Sequence, residues 1–201
     1  MIRTPDAAKS GASDTRSRIL AAARELYASR GSRGTTTREV AELAGVNEAT
    51  LFRHFGTKVA LLSAMHEQYN GYGDMQRILA RVGSLTAIED QLRSLALAVI
   101  QKIKEREDLI RVSMAEELTN PEGLSCAWRA PSEAREMLVA WFGERTRAGE
   151  LSGDPEWLAR VFMSILFSFV MARRIWADID QPDERSVAHL VEIFMNGARA
   201  R

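Results

Sequence analysis

Residues 36–58, TTREVAELAGVNEATLFRHFGTK, constrain the fold of this chain more than any other stretch. Thr36 is placed to cap a helix, and Glu39 three residues later completes a capping box that satisfies two orphan amides. Val40, Leu43 and Ala44 follow at helical spacing as a small apolar stripe. Ala41 is small enough for a second helix to approach closely. Gly45 is a helix stop, because a residue without Cβ turns left-handed cheaply. Asn47 then caps a second short helix, in which Leu51 and Phe55, four apart, face inward. Ala49, Thr50, Arg53 and His54 are left on or near the outer face. Thr57 and Lys58 open a further helix, whose N-terminus is a natural phosphate site. The order is cap, small residue, glycine turn, cap, short basic-aromatic helix, lysine. It is the layout of a helix-turn-helix unit that reads DNA.

The 201-residue chain has no net charge, which looks wrong for a nucleic-acid binder until it is divided. Residues 1–58 hold 10 Lys and Arg against 6 Asp and Glu, about +4, so the remainder holds about −4. A basic N-terminal unit on an acidic body presents one face to phosphates. Hydrophobic residues make up 46%, enough for a sizeable core, in one domain or two closely joined ones.

Other classes find little support. His66-Glu67 begins a zinc-protease-like motif, but Asn70 stands where the second histidine belongs. Gly71-Tyr72-Gly73 lacks a third glycine and a preceding strand, and there is no G-x-S-x-G. Three scattered histidines and one cysteine make no metal cluster, so no metal, no cofactor and no catalytic residue is expected. Cys126, alone, cannot form an intramolecular disulfide; it lies in an expected loop, where a redox role is conceivable although a lone cysteine is usually inert. The N-terminus lacks an apolar signal region, and the apolar run 161–172 is too short to span a bilayer. A cytoplasmic protein with no membrane partner is the expectation.

Elsewhere the periodicity gives helices and no convincing strand, about nine in all, so the expected class is all-α. Residues 1–13 read as a disordered arm, 14–58 as the DNA-binding domain and 59–201 as a larger helical domain. Expected helices outside the helix-turn-helix run over about 14–30, 57–81, 84–104, 108–118, 134–148, 155–177 and 182–198. Residues 119–133, rich in Pro, Gly and Ser, read as a loop. Arg3, Lys9, Arg16 and Arg18 are either an arm following the DNA backbone or a solvated tail.

The run ILAAARELYASRG…TTTREVAELAGVNEATLFRHFGTKVALL resembles the N-terminal domain of the tetracycline-repressor (TetR) family of transcriptional regulators, over about residues 18–62. The resemblance implies a three-helix DNA-binding domain and a larger helical domain that binds a small effector and dimerises. By position, Thr36, His54 and Lys58 should contact phosphates, and Ala49, Thr50 and Arg53 should face the major groove. Arg38 and Phe52 complete the implied DNA-facing set. Arg offers a bidentate fork to guanine, while hydroxyls and Lys suit the backbone. Two residues depart from the family pattern. Phe52 replaces a usual Tyr, so a phosphate hydrogen bond is missing, and Val59 replaces a frequent Glu.

A double-stranded pseudo-palindromic operator calls for a homodimer. The apolar surface of 158–170 and 187–195 suggests its interface: Leu158, Ile165, Phe169, Val187, Leu190, Val191 and Phe194. Met114, Glu117, Trp128, Trp141, Phe162, Met163 and Phe167 are candidate lining for an effector pocket, with Glu116 a further carboxylate. Aromatic and Met side chains suit an apolar or amphipathic ligand, and they equally suit a plain core. The resemblance implies repression relieved by effector, with the helix expected over 57–81 as lever. The rivals are a helical protein–protein adaptor with an unused helix-turn-helix and, more remotely, an enzyme; salt-dependent, sequence-selective DNA binding separates the regulator from both.

Overall fold

The computed structural model describes residues 6–69, 72–119, 129–175 and 184–198, with side chains throughout except at 6–12, 72–73, 117–119, 129–133 and 174. These residues form ten α-helices and no strand: α1 (Asp6–Gly34), α2 (Thr37–Leu43), α3 (Glu48–Phe55), α4 (Lys58–Gln68), α5 (Tyr72–Val82), α6 (Ile88–Lys104), α7 (Glu107–Thr119), α8 (Arg129–Arg147), α9 (Pro155–Met171) and α10 (Glu184–Ala198). A 3-10 turn, Arg173–Ile175, follows α9. The chain divides into two compact units, Met1–Asn70 with Asp108–Arg129 and Gly71–Glu107 with Ala130–Arg201. The boundary expected at residue 58 is therefore displaced, because α4 and nearly all of α7 belong with α1–α3.

In the first unit α1 packs on α2 and α4, and α3 on its neighbours in sequence. Ile19, Leu20, Ala23 and Tyr27 of α1 are buried with Val40, Ala41, Leu51, Leu61, Met65 and Leu109. The helix begins at Asp6 rather than near residue 14, so part of the expected disordered arm is helical. Good helix formers at Ala7, Ala8, Lys9 and Ala12 extend it backwards. Near its other end Gly31 departs from helical geometry, at φ 69° and ψ −174°. That combination is one that L side chains rarely adopt, so the bend calls for glycine, and a Cβ there would also press on Glu116 Oε1 at 2.6 Å. Glu116 Oε1 accepts a hydrogen bond from the Ser32 amide. Its other oxygen accepts from the buried Tyr27 hydroxyl at 3.0 Å, and the Ser113 hydroxyl lies 3.3 Å from the same phenol. The His66 ring meets Tyr27 edge-on at 5.0 Å. Burial pushes the His66 pKa down, while the Glu116 charge pulls the other way.

In the second unit α6 packs against α5, α9 and α10. Leu92, Leu95, Ala96, Val99 and Ile103 fill its inner face. The rings of Phe142, Phe162 and Phe194 meet one another with centroids 5.2–6.0 Å apart, the steep or tilted approaches that aromatic quadrupoles prefer. Asp74 of α5 accepts from Arg77 and from Arg106, with Lys102 3.9 Å away. Burial pushes its pKa up, but these three cations overcome it and the carboxyl titrates below its usual range.

Other expectations shift at helix ends. The helix expected over 57–81 is two helices, α4 capped by Tyr69 and α5 starting at Tyr72. The lever expected over 57–81 is thus not one continuous helix. The loop expected over 119–133 is shorter, because α8 already runs from Arg129, with Pro131 in its first turn, where the missing N–H is not needed. Cys126 and Trp128 lie outside the described residues.

Candidate nucleic-acid interface

The turn between α2 and α3 is fixed by backbone hydrogen bonds. Gly45, at φ 66°, donates to Glu42 O at 3.1 Å, and Val46 donates to Ala41 O at 2.9 Å. This pair of bonds is the Schellman closure, which needs a left-handed residue at Gly45. The capping box at Thr36 is complete: Thr36 Oγ1 accepts from the Glu39 amide at 3.2 Å, and Glu39 Oε2 accepts from the Thr36 amide at 3.3 Å. The Thr36 hydroxyl also donates to Glu39 Oε2 at 2.7 Å, so a phosphate has to compete with Glu39 for that proton. Asn47 Oδ1 accepts from the Thr50 amide at 2.7 Å, and Thr57 Oγ1 accepts from the Ala60 amide at 3.0 Å. Two further ties hold the helices: Arg30 pairs with Glu39 at 2.8 Å, and the Thr37 hydroxyl donates to Glu48 Oε1 at 2.5 Å.

These bonds orient α3. Leu51 is fully buried, and Ala49, Phe52 and Arg53 are exposed, at the i, i+3, i+4 spacing of one helical face. Thr50, His54 and Lys58 are half-buried at its margins. Phe52 therefore joins Ala49 and Arg53 at the centre of the outward face, with Thr50 at the edge rather than among them. Among the described residues Arg53 and Lys58 carry no ion pair, so both cations are available to an anion. Arg38 is exposed and pairs with Glu42 at 3.0 Å, and this bond raises its pKa. So exposed a pair is weak and readily exchanged for a phosphate. Arg16 stacks over Phe55 at 5.4 Å and Arg18 lies 3.5 Å from Asp14, both on α1, so neither belongs to a free arm. Arg3 lies outside the described residues, and the Lys9 side chain is not among those described.

The other expected site residues are dispersed. Met114 is in the first unit, whereas Trp141, Phe162, Met163 and Phe167 are in the second. Phe162 is fully buried in the ring cluster and Trp141 nearly so, while Met163 and Phe167 are half-buried. The Glu117 side chain is not among those described, and Glu116 is engaged with Ser32 and Tyr27. Of the expected interface residues, Leu158, Val187, Leu190, Val191 and Phe194 are buried within the second unit itself. Their faces are already covered by their own chain, so they are core residues; Ile165 and Phe169 are half-buried.

Two polar clusters are not foreseen from the sequence. One is Tyr27–Ser113–Glu116, whose members are far apart in the chain. The other is buried Gln91, whose Oε1 accepts from Arg145 Nε at 3.3 Å and Nη2 at 3.2 Å while its Nε2 donates to Leu85 O at 2.8 Å. Arg145 lies over the Trp141 ring at 4.2 Å. A polar residue on the apolar stripe of α6 is the one available signal. Among the described residues no three metal-ligating side chains converge, and no helix is long and apolar enough to cross a membrane.

A capped helix pair that exposes an Arg-bearing recognition face, with a lysine at the next helix start, defines a helix-turn-helix DNA-binding regulator. Two family models match: "Bacterial regulatory proteins, tetR family" over residues 19–65, and "AefR-like transcriptional repressor, C-terminal domain" over residues 90–196. The chain belongs to the TetR family of transcriptional regulators. It is 29% identical to the uncharacterized HTH-type transcriptional regulator YvkB of Bacillus subtilis, over 92% of this chain and 98% of that protein. It is 25% identical to the HTH-type transcriptional regulator UidR of Escherichia coli, over 94% of this chain and 91% of that one. A solved TetR family transcription regulator from Marinobacter aquaeolei shares the fold at a TM-score of 0.72 and 18% identity, covering 96% of this chain and 100% of its own. These relatives are regulators and not enzymes.

Proposed function

We propose that this protein is a repressor that binds a pseudo-palindromic operator as a homodimer and is released by a small apolar or amphipathic effector. The observation that carries the reading is the outward face of α3, where Ala49, Phe52 and Arg53 stand exposed over a buried Leu51. Arg53 addresses base edges, Thr50 the margin of the groove, and Thr36, Arg38, His54 and Lys58 the flanking phosphates.

Dimerisation is supported by α9. Trp157 is 62% exposed and Val161 44%, and Ile165 and Phe169 continue the same four-residue spacing half-buried. Ile193 of α10 is 71% exposed. An exposed apolar stripe of this size suits burial against a second copy. Effector binding is supported by Trp141, whose buried indole N–H has no hydrogen-bond partner among the described residues. An orphaned buried donor is costly, and a ligand acceptor would relieve it.

Footprinting on the DNA upstream of its own gene, across a salt series, tests the reading. Protection of a two-fold site that weakens steeply with salt is the expected result. Lys58→Ala should make the log–log salt slope shallower by about 0.9 for each phosphate that Lys58 neutralises. Uniform weak binding on every sequence, including a random pool, would refute it.

A further inference from the structure

The structure leaves a large apolar side chain where a DNA reader ordinarily places polar ones. Phe52 is 42% exposed, in the middle of the outward face of α3 and between Ala49 and Arg53. No ring or cation covers it among the described residues. A phenyl ring has no group that can bond a phosphate or the polar edge of a base. The major-groove edges of the four base pairs offer donors, acceptors and one apolar feature, the C5-methyl of thymine. The carboxylate at the start of α3 does not compete for that space as a base acceptor, because Glu48 is held by the Thr37 hydroxyl at 2.5 Å. On Phe52 and Ala49 the face is apolar, and on Arg53 it is a guanidinium fork. Its complement is a thymine methyl beside a guanine.

We infer that Phe52 is a specificity-determining residue that reads the C5-methyl group of a thymine in each operator half-site, a deepening that rests on the operator reading above. The interaction is desolvation of two apolar surfaces and needs no hydroxyl. It makes the chain sensitive to a group that lies outside Watson–Crick pairing, so it would distinguish thymine from uracil in an otherwise identical duplex.

The full chain would be used to select binding sites from a random duplex pool. A selected site would then be resynthesised with deoxyuridine replacing one thymidine at a time. At one thymine per half-site, the wild type should lose about fourfold in affinity on replacement, the equivalent of exposing one methyl group. Phe52→Ala should bind the thymine and uracil duplexes equally, and Phe52→Tyr, which keeps the ring, should still tell them apart. Circular dichroism melts would confirm that both variants fold. Equal wild-type affinity for every uracil-substituted duplex would overturn the inference and leave operator binding standing. Discrimination that survives in Phe52→Ala would overturn it too, by assigning the methyl to another side chain. A selection that yields no preferred sequence would overturn the operator reading and the inference together.

Discussion

Helix starts differ between the short helices of the first unit and the long α6 of the second, although α9 beside it is capped by Asp154. In the first, α2, α3 and α4 are only 7, 8 and 11 residues long, and each starts with a side-chain cap, from Thr36, Asn47 and Thr57. In the second, α6 is 17 residues long, starts at Ala87 with no side-chain cap, and still anchors three other helices. The physics explains the contrast. A short helix scarcely recovers its nucleation cost and depends on local hydrogen bonds at its ends. A long helix with a continuous buried face is held by area. The DNA-reading helices are thus specified by polar geometry as well as packing, and α6 mainly by its apolar face.

That contrast can be broken or sharpened by substitution. The largest effect is expected in the ring cluster: Phe142→Ala should cost about 3–5 kcal/mol in denaturant unfolding, because a fully buried ring leaves a cavity. A loss under about 1 kcal/mol would mean that the aromatic core is loosely packed. In the first unit Tyr27→Phe keeps the ring and removes the hydroxyl that meets Ser113 and Glu116. It should cost about 1–3 kcal/mol, since the half-buried Glu116 carboxylate loses a donor and the buried Ser113 hydroxyl a partner. A neutral outcome would show that this polar cluster contributes nothing, and the contrast would fail. Asn47→Ala should cost about 1 kcal/mol by removing the cap and should weaken operator binding through a less ordered α3, whereas Ala87→Ser at α6 should change stability less.

The smallest effect is a pH dependence, because two causes oppose at His66. Burial disfavours the imidazolium more than Glu116 favours it, so the folded pKa lies below the ordinary value of about 6.5. Between those two values the unfolded chain binds more protons, so stability falls as pH drops below about 6.5 and levels off beneath the folded pKa. Hydrogen exchange of α1 and α4 amides at stepped pH should follow that course, and His66→Gln should flatten it. A stability that rises on acidification would mean that Glu116 prevails.

The same difference decides what is legible in the sequence. The caps, the glycine stop and the inward Leu51 are legible because each is a local rule acting within four residues. Helix content is legible from periodicity for the same reason. The split between α4 and α5 is not, since an apolar pattern continues through 57–81 while the chain changes unit. Side-chain destinations in the second unit are the least legible. Leu158 and Trp157 are neighbours on one apolar helix, and only the tertiary packing sends the first inward and leaves the second exposed. Phe52 stands out in the sequence as a departure from the family pattern, but its place at the centre of the outward face depends on how Leu51 is seated.

The attachment of α7 to α1 has a practical consequence for anyone who wishes to recombine such regulators. Leu109 lies in the core of the first unit, and Ser113 and Glu116 reach Tyr27 and the bend at Gly31. A fragment severed after Tyr69 would carry the whole recognition surface yet leave those partners behind, with a phenol and a kinked helix end suddenly facing water. A chimaera that grafts this DNA-reading half onto a foreign sensor therefore has to transplant two separate pieces of polypeptide, and a single N-terminal exchange would inherit the instability of the missing one.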